Sequence, residues 1–204
     1  MSQRTDWFDE ATTFERSPVT GSRIPIDSAP TSLFCETAAK SVPSARLAIV
    51  DSQSARTTES GGPRGYDGNK KILGRKRHIV VDADGVPIVA AITTANTHDS
   101  QPAPALFREA KAVEPELAEV FADSAYVGSP LQRAANDNGM ALRIVKRSDP
   151  RSEFVPLPRR WVVERTFAWL GRSRRLSKDY ERLPASSHAV LQLASIQLML
   201  RRAA

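Results

Sequence analysis

Cysteine is almost missing from this 204-residue chain: Cys35 stands alone, so no disulfide can close within it and no thiolate cluster can hold zinc. Histidine is scarce too, with three residues, which leaves oxygen atoms as the natural donors for any metal. No uninterrupted apolar run approaches the roughly 20 residues that cross a bilayer. The opening Met1-Ser2-Gln3-Arg4-Thr5-Asp6 lacks the basic-then-apolar order of a secretory signal. The expectation is a cytoplasmic protein with no membrane span.

What remains is an ordinary globular mixture, 41% hydrophobic and 25% charged, long enough for one sizeable core and an appendage. The net charge is +6, and the excess gathers at Lys70-Lys71, Arg75-Lys76-Arg77, Lys146-Arg147, Arg159-Arg160 and Arg172 to Lys178. A single run of this kind is usually a solvated face. Several together suit a polyanion, whose bound counterions are released when the cations arrive.

Residues 1–44 are rich in Ser, Thr and Pro and show no sustained periodicity, so they are expected to be disordered. Regular structure is expected over 45–204. It opens with a strand from Arg46 that closes on Asp51, followed by a polar, Gly-rich loop from Ser52 to Gly74. Strands at Arg77 to Asp82 and Val86 to Thr93 flank Ala83-Asp84-Gly85, a hairpin signal. Ser100 reads as the N-cap of a helix, with Pro102 in its first turn, reaching Val113. A strand at Val120 to Asp123, a helix at Pro130 to Asn138 stopped by Gly139, and a strand at Leu142 to Lys146 come next. Helices at Arg159 to Leu170 and Ser187 to Arg202 close the chain. This order predicts an α/β fold: a ribonuclease H-like mixed five-stranded sheet flanked by helices, with the first strand central and parallel to the fourth.

In that arrangement two apolar runs, Leu47-Ala48-Ile49-Val50 and Val120-Phe121-Ala122, deliver Asp51 and Asp123 to one sheet edge. Adjacent carboxylates repel unless a cation lies between them, and hard oxygen ligands suit Mg²⁺ or Mn²⁺. Glu164, on the helix that starts near Arg159, is the third candidate. Two ions roughly 4 Å apart would activate an attacking oxygen and stabilise the leaving oxygen of a phosphodiester. At about 3.6 residues per turn, Arg160, Glu164, Ala168, Gly171 and Arg175 share one side of that helix, and Val162, Val163, Phe167, Trp169 and Leu170 form an apolar arc opposite. Trp161 and Trp169 are expected as core anchors, and the last helix, apolar on most sides, as buried against the sheet or a second subunit.

Each acid has a plainer role as well. A strand-end Asp often accepts turn hydrogen bonds, and Glu164 four residues after Arg160 makes a surface ion pair of small value. Asp82, Asp84 and Asp99 are rivals: Asp84 fits the hairpin turn, and Asp99 fits a cap or a group supporting a metal ligand. Lys70, Lys71, Arg75, Lys76, Tyr126, Arg160, Arg165, Arg172 and Arg175 are the candidate DNA contacts, the arginines for their forked match to phosphate.

Five segments together carry a resemblance: Val50-Asp51-Ser52-Gln53-Ser54, Gly61-Gly62-Pro63-Arg64-Gly65-Tyr66-Asp67, Gly74-Arg75-Lys76-Arg77-His78, Ala122-Asp123-Ser124-Ala125-Tyr126 and Arg159 through Leu170. From about Arg46 onward the chain resembles DDE-type bacterial insertion-sequence transposases of the IS-five group. The resemblance implies a catalytic domain that cuts transposon ends and joins them to target DNA with Mg²⁺, through Asp51, Asp123 and Glu164. It also implies a homo-oligomer on double-stranded DNA in the bacterial cytosol, at the nucleoid. Arg160, four before the Glu, matches an arginine common in the family's last motif. A lysine common about two turns after the Glu is replaced by Gly171, with Arg172 beside it. The helical DNA-binding region usual at the front of such proteins has no counterpart in residues 1–44. Two further expectations follow: a remnant that only binds DNA, or a general metal nuclease on the same fold.

Overall fold

The computed structural model describes residues 46–59, 61–145 and 161–203. The expected disorder of 1–44, and the clusters Lys146-Arg147 and Arg159-Arg160, lie outside the described residues. Six strands, β1 (Leu47–Arg56), β2 (Gly65–Asp67), β3 (Ile72–Asp82), β4 (Pro87–Thr94), β5 (Glu119–Ala122) and β6 (Ala141–Ile144), form one mixed sheet. Its order is β2-β3-β1-β5-β6, with β4 also paired to β3. β3 runs antiparallel to β1, β2 and β4, whereas β5 is parallel to β1 and to β6. The first strand is therefore central and parallel to the strand carrying the second acid, the arrangement expected of a ribonuclease H-like fold.

Among the described residues four helices cover the sheet: α1 (Ala103–Val113), α2 (Ser129–Asp137), α3 (Trp161–Leu170) and α4 (Pro184–Ala203). Alternation along β1 sorts its side chains between two cores. Ala48 and Val50 join Leu106 and Phe107 of α1 and Leu131 of α2 on one face. Ile49 joins Val163, Phe167 and Leu170 of α3 and Leu191 of α4 on the other. A strand buried on both faces reads as a continuous apolar run, which is why Leu47 to Val50 was legible.

The expected loop from Ser52 to Gly74 is corrected. β1 continues through Arg56, β3 begins at Ile72, and β2 lies between them, so the sheet has six strands and not five. The polar residues here are strand residues whose side chains find partners: Ser54 Oγ donates to Asp67 Oδ2 at 2.6 Å. Gly74 pairs with Arg56, and a Cβ at this position would collide with the Ala55 carbonyl. Glycine here permits close backbone approach and does not signal a loop.

The β3–β4 hairpin turns on Gly85, at φ +85°, where glycine is least strained. Asp82, not Asp84, supplies the turn's acceptor: its Oδ1 takes the N–H groups of Asp84 and Val86, both at 2.8 Å. Ser100 does not cap α1. Pro102 occupies the N-cap position, and the Ser100 hydroxyl lies 2.7 Å from His98 Nδ1. Gly139, at φ +68°, ends the α2 segment as expected.

α4 begins at Pro184, three residues before the expected start, so that Ser187 lies in its first turn, where it is buried and its hydroxyl donates to Asp179 at 2.7 Å. The helix packs on β4 with Ser187, Leu191 and Ser195 inward, while Leu193 and Leu200 are 64% and 58% exposed. Its expected burial against the sheet is thus observed, along one side of the helix. No helix among the described residues is long and apolar enough to cross a membrane.

Candidate active site

The parallel ladder between β1 and β5 runs from Leu47↔Glu119 to Ile49↔Phe121. Two residues further along each strand stand Asp51 and Asp123. At this point β5 ends, while β1 continues alone beside β3, with Asp51 opposite Ile79. Asp51 therefore lies at a fork in the sheet and not at the end of its strand, as its apolar run had suggested. One flank of β1 is left without a strand, and the two half-buried carboxylates occupy that fork.

Local backbone groups fix both acids. The Ser52 N–H donates to Asp51 Oδ1 at 2.7 Å. Asp123 caps a 3₁₀ turn over Ser124–Tyr126, its Oδ1 accepting the Ala125 N–H at 2.8 Å. The turn-acceptor role weighed for a strand-end Asp is thus real for Asp123. It uses one oxygen and aims the group, so it is compatible with a second role for the carboxylate.

The turn also swings Tyr126 inward. Its side chain is 1% exposed, and its hydroxyl is buried without a hydrogen-bond partner. Burial raises the hydroxyl's pKa well above its usual 10.0, and the charges of Asp51, Asp99 and Asp123 raise it further, in that order. The phenol stays protonated, a donor held among three carboxylates. Tyr126 is thus corrected from a DNA contact to an interior residue beside the acids.

Asp99 belongs to this neighbourhood. Burial pushes its carboxyl up, but hydrogen bonds from Lys76 and Ser52 and the nearby charges of Lys76 and His78 bring it below the ordinary value. Lys76 Nζ lies 2.8 Å from Asp99 Oδ1, donates to the Thr97 carbonyl at 2.7 Å and stands 3.9 Å from Asp67. Lys76 is 7% exposed and saturated, so its expected phosphate contact is corrected to an internal ion pair. Asp67 was missed as a site neighbour. The only sequence signal was an acid before Gly68-Asn69, which reads as a turn, and Asp67 Oδ1 does accept the N–H groups of Asn69 and Lys70.

Glu164 lies on the exposed side of α3, whose buried residues are Val162, Val163, Thr166, Phe167 and Leu170. Among the described residues no three His, Cys, Asp or Glu side chains stand close enough to share a metal ion. The structure thus brings Asp51 and Asp123 together and does not gather Glu164 with them. Trp161 is corrected from a core anchor to 56% exposed. Trp169 is half-buried, and the two indoles flank the Arg165 guanidinium, each ring centroid 4.5 Å away. Arg165 also donates to the Asp84 carbonyl at 2.8 Å, so it ties α3 to the hairpin where a phosphate contact had been expected.

Arg75 departs furthest from expectation. It is fully buried, 3.1 Å from Asp179 Oδ2, and it donates to the carbonyls of Pro63, Glu181 and Arg182. Fully enclosed, it presents no surface to DNA. Lys70 and Lys71 are exposed between β2 and β3. Arg172 and Arg175 are exposed after α3, Arg175 paired with Glu181 at 2.8 Å. Arg160 lies outside the described residues.

The profile of the Transposase DDE domain matches residues 43–199, spanning both strand acids and α3. The chain belongs to this family. A Burkholderia cepacia protein named for the transposase role of insertion sequence element IS402 is 36% identical over 129 residues, which is 59% of this chain and 60% of the relative. The chain thus matches less than two thirds of that relative's length. Two solved structures are similar in outline. The catalytic core domain of BIV integrase is 14% identical, with TM-score 0.45, over 76% of this chain and 83% of that one. A simian T-cell lymphotropic virus intasome in complex with PP2A regulatory subunit B56 gamma is 21% identical, with TM-score 0.47, over 74% and 46%. Family membership rests on the profile, and the fold on the strand order described above.

Proposed function

We propose that this DDE-family chain cleaves DNA at the ends of an insertion element of the IS-five group and joins those ends to target DNA, with a divalent cation, Mg²⁺ or Mn²⁺, at the Asp51–Asp123 fork. The observation that carries this is the placement of the two acids, both two residues past the last pair of the β1–β5 ladder. As hard oxygen donors they fit such a cation. When bound, it would activate the attacking oxygen and stabilise the leaving oxygen of an in-line displacement. Glu164 is the third proposed ligand. No step is assigned to it, since it is not gathered with the other two among the described residues.

The chain's own contribution is orientation. The Ser52 and Ala125 N–H groups each hold one oxygen of an acid and fix the direction of its carboxylate. Tyr126 stays protonated beside them, adding no further negative charge, and the Lys76–Asp99 pair keeps a third carboxylate ionised nearby. We further propose that the protein acts in the cytoplasm, at the nucleoid, as a dimer or larger assembly, because two ends must be cut in concert.

The test is a strand-cleavage and joining assay on duplex DNA carrying the element's terminal repeats, with Mn²⁺ and with EDTA. Activity should require the metal and fall at least about a hundredfold in Asp51→Asn, Asp123→Asn and Glu164→Gln, the scale typical of removing one electrostatic catalytic group, with DNA binding retained. Undiminished activity in Asp51→Asn or Asp123→Asn would overturn the site. Binding without cleavage under any metal would leave a DNA-binding remnant. Cleavage of unrelated duplexes at a similar rate without joined product would mean a general nuclease.

A further inference from the structure

A second feature lies outside the acid fork. Between the end of α3 and the last three turns of α4 runs an open groove of about 550 Å³. Five arginines line it, Arg172, Arg174 and Arg175 on one wall and Arg201 and Arg202 on the other, and among the described residues no carboxylate does. Its floor is partly apolar, with Leu170, Ala194 and Leu198, and Ser173 and Gln197 add neutral polar groups.

The arginines are of two kinds. Arg202 and Arg175 are held: Arg202 donates to the Asp84 carbonyl at 2.9 Å with its guanidinium 5.2 Å from the Trp169 ring, and Arg175 pairs with Glu181. Arg172, Arg174 and Arg201 are exposed and have no side-chain hydrogen bond or ion pair among the described residues. A cation near a helix C-terminus often serves to cap the last carbonyls. These three cap nothing, so their charge is not spent on the fold. Three uncommitted guanidiniums line one trough with a partly apolar floor. That is a receptor for a row of phosphates.

We propose that this groove seats the phosphate backbone of duplex DNA, as a contact surface additional to the Asp51–Asp123 fork. The inference rests on the family's action on DNA proposed above. The Arg202 wall is tied to the hairpin that follows Asp82, whose partner Ala48 precedes Asp51 on β1. One wall of the groove is thus anchored at the hairpin end of the β1–β3 pair. DNA seated there is gripped by charge alone, without a metal.

The test uses the full chain in EDTA, an unrelated fluorescent duplex and a salt series read by anisotropy. The triple variant Arg172→Ala, Arg174→Ala, Arg201→Ala should bind at least about tenfold more weakly near physiological salt, and its slope of log affinity against log salt should be shallower by roughly 2 to 3, about one per phosphate contact. The matching triple lysine variant should recover most of the slope. A folded alanine triple with the native slope, or a loss that lysine does not recover, overturns the proposal. So does poly-glutamate binding as tightly as DNA with the same loss in the triple, which would indicate an acidic protein partner. Lost cleavage with an intact slope effect removes the catalytic reading alone, and intact cleavage without a slope effect removes this one alone.

Discussion

Two sets of basic residues look alike in the sequence and differ completely in the fold. Arg75, Lys76 and Arg77 lie on β3 and are buried, each bound to carbonyls or carboxylates. Arg172, Arg174 and Arg201 lie at helix ends, exposed and uncommitted. The β3 cations staple the chain. Arg75 and Arg77 reach the segment from Leu176 to Arg182 on one face of the sheet, and Lys76 reaches Thr97 and Asp99 on the other. A central strand has no exposed face, so charge placed on it must be satisfied from within. Charge density along a sequence therefore does not by itself locate a nucleic-acid surface.

The sharpest way to break this contrast is to remove a staple. Arg75→Met leaves Asp179 buried and without its cation, although the Ser187 hydroxyl remains. It should destabilise the fold by about 3–5 kcal/mol in urea unfolding, the range for breaking a buried pair. Stability equal to wild type would mean that Arg75 is not structural.

A second test uses the neighbour on β3 that can shed its charge. Burial lowers the His78 pKa from 6.5 to about 4, Asp99 opposing this and Lys76 and Lys70 adding to it. The folded state therefore binds fewer protons than the unfolded one between those values. His78 contributes stability that is fully present above pH 6.5 and lost as pH falls to about 4, on the order of 3 kcal/mol in all. Chemical denaturation across that window should show the loss, and His78→Gln should flatten that part of the profile. An unchanged profile in the variant would place the responsible proton elsewhere.

The smallest effect belongs to the exposed set. Arg172→Ala alone should leave the melting temperature unchanged and make the salt slope of DNA binding shallower by about 1. A fall in melting temperature would put Arg172 among the staples and erase the distinction.

Much of the scaffold was legible because apolar patterning and turn chemistry act over short distances. Leu47 to Val50 and Val120 to Ala122 read as buried strands, Asp84-Gly85 as a hairpin and Gly139 as a stop, and each is observed. The extension of β1 through Ser52 to Arg56 was not legible. Its polar side chains are matched by Asp67, Asp99 and residues of β3, partners brought in by tertiary pairing. Tyr126 read both as a packing residue and as a DNA contact, and the fold realises the first, because nothing in Asp123-Ser124-Ala125-Tyr126 reveals which way a three-residue turn points.

The sequence by itself determined the strand and helix periods, the two acids that follow apolar runs, and the scarcity of sulfur and imidazole that leaves oxygen as the donor supply for a cation. Those properties follow from residue type and spacing. Only the tertiary structure decided that Asp51 and Asp123 share a fork while Glu164 lies on the outer side of α3, and that one basic run holds the sheet together while another lines a groove. Such outcomes depend on which faces are covered, and coverage is set by elements far apart along the chain.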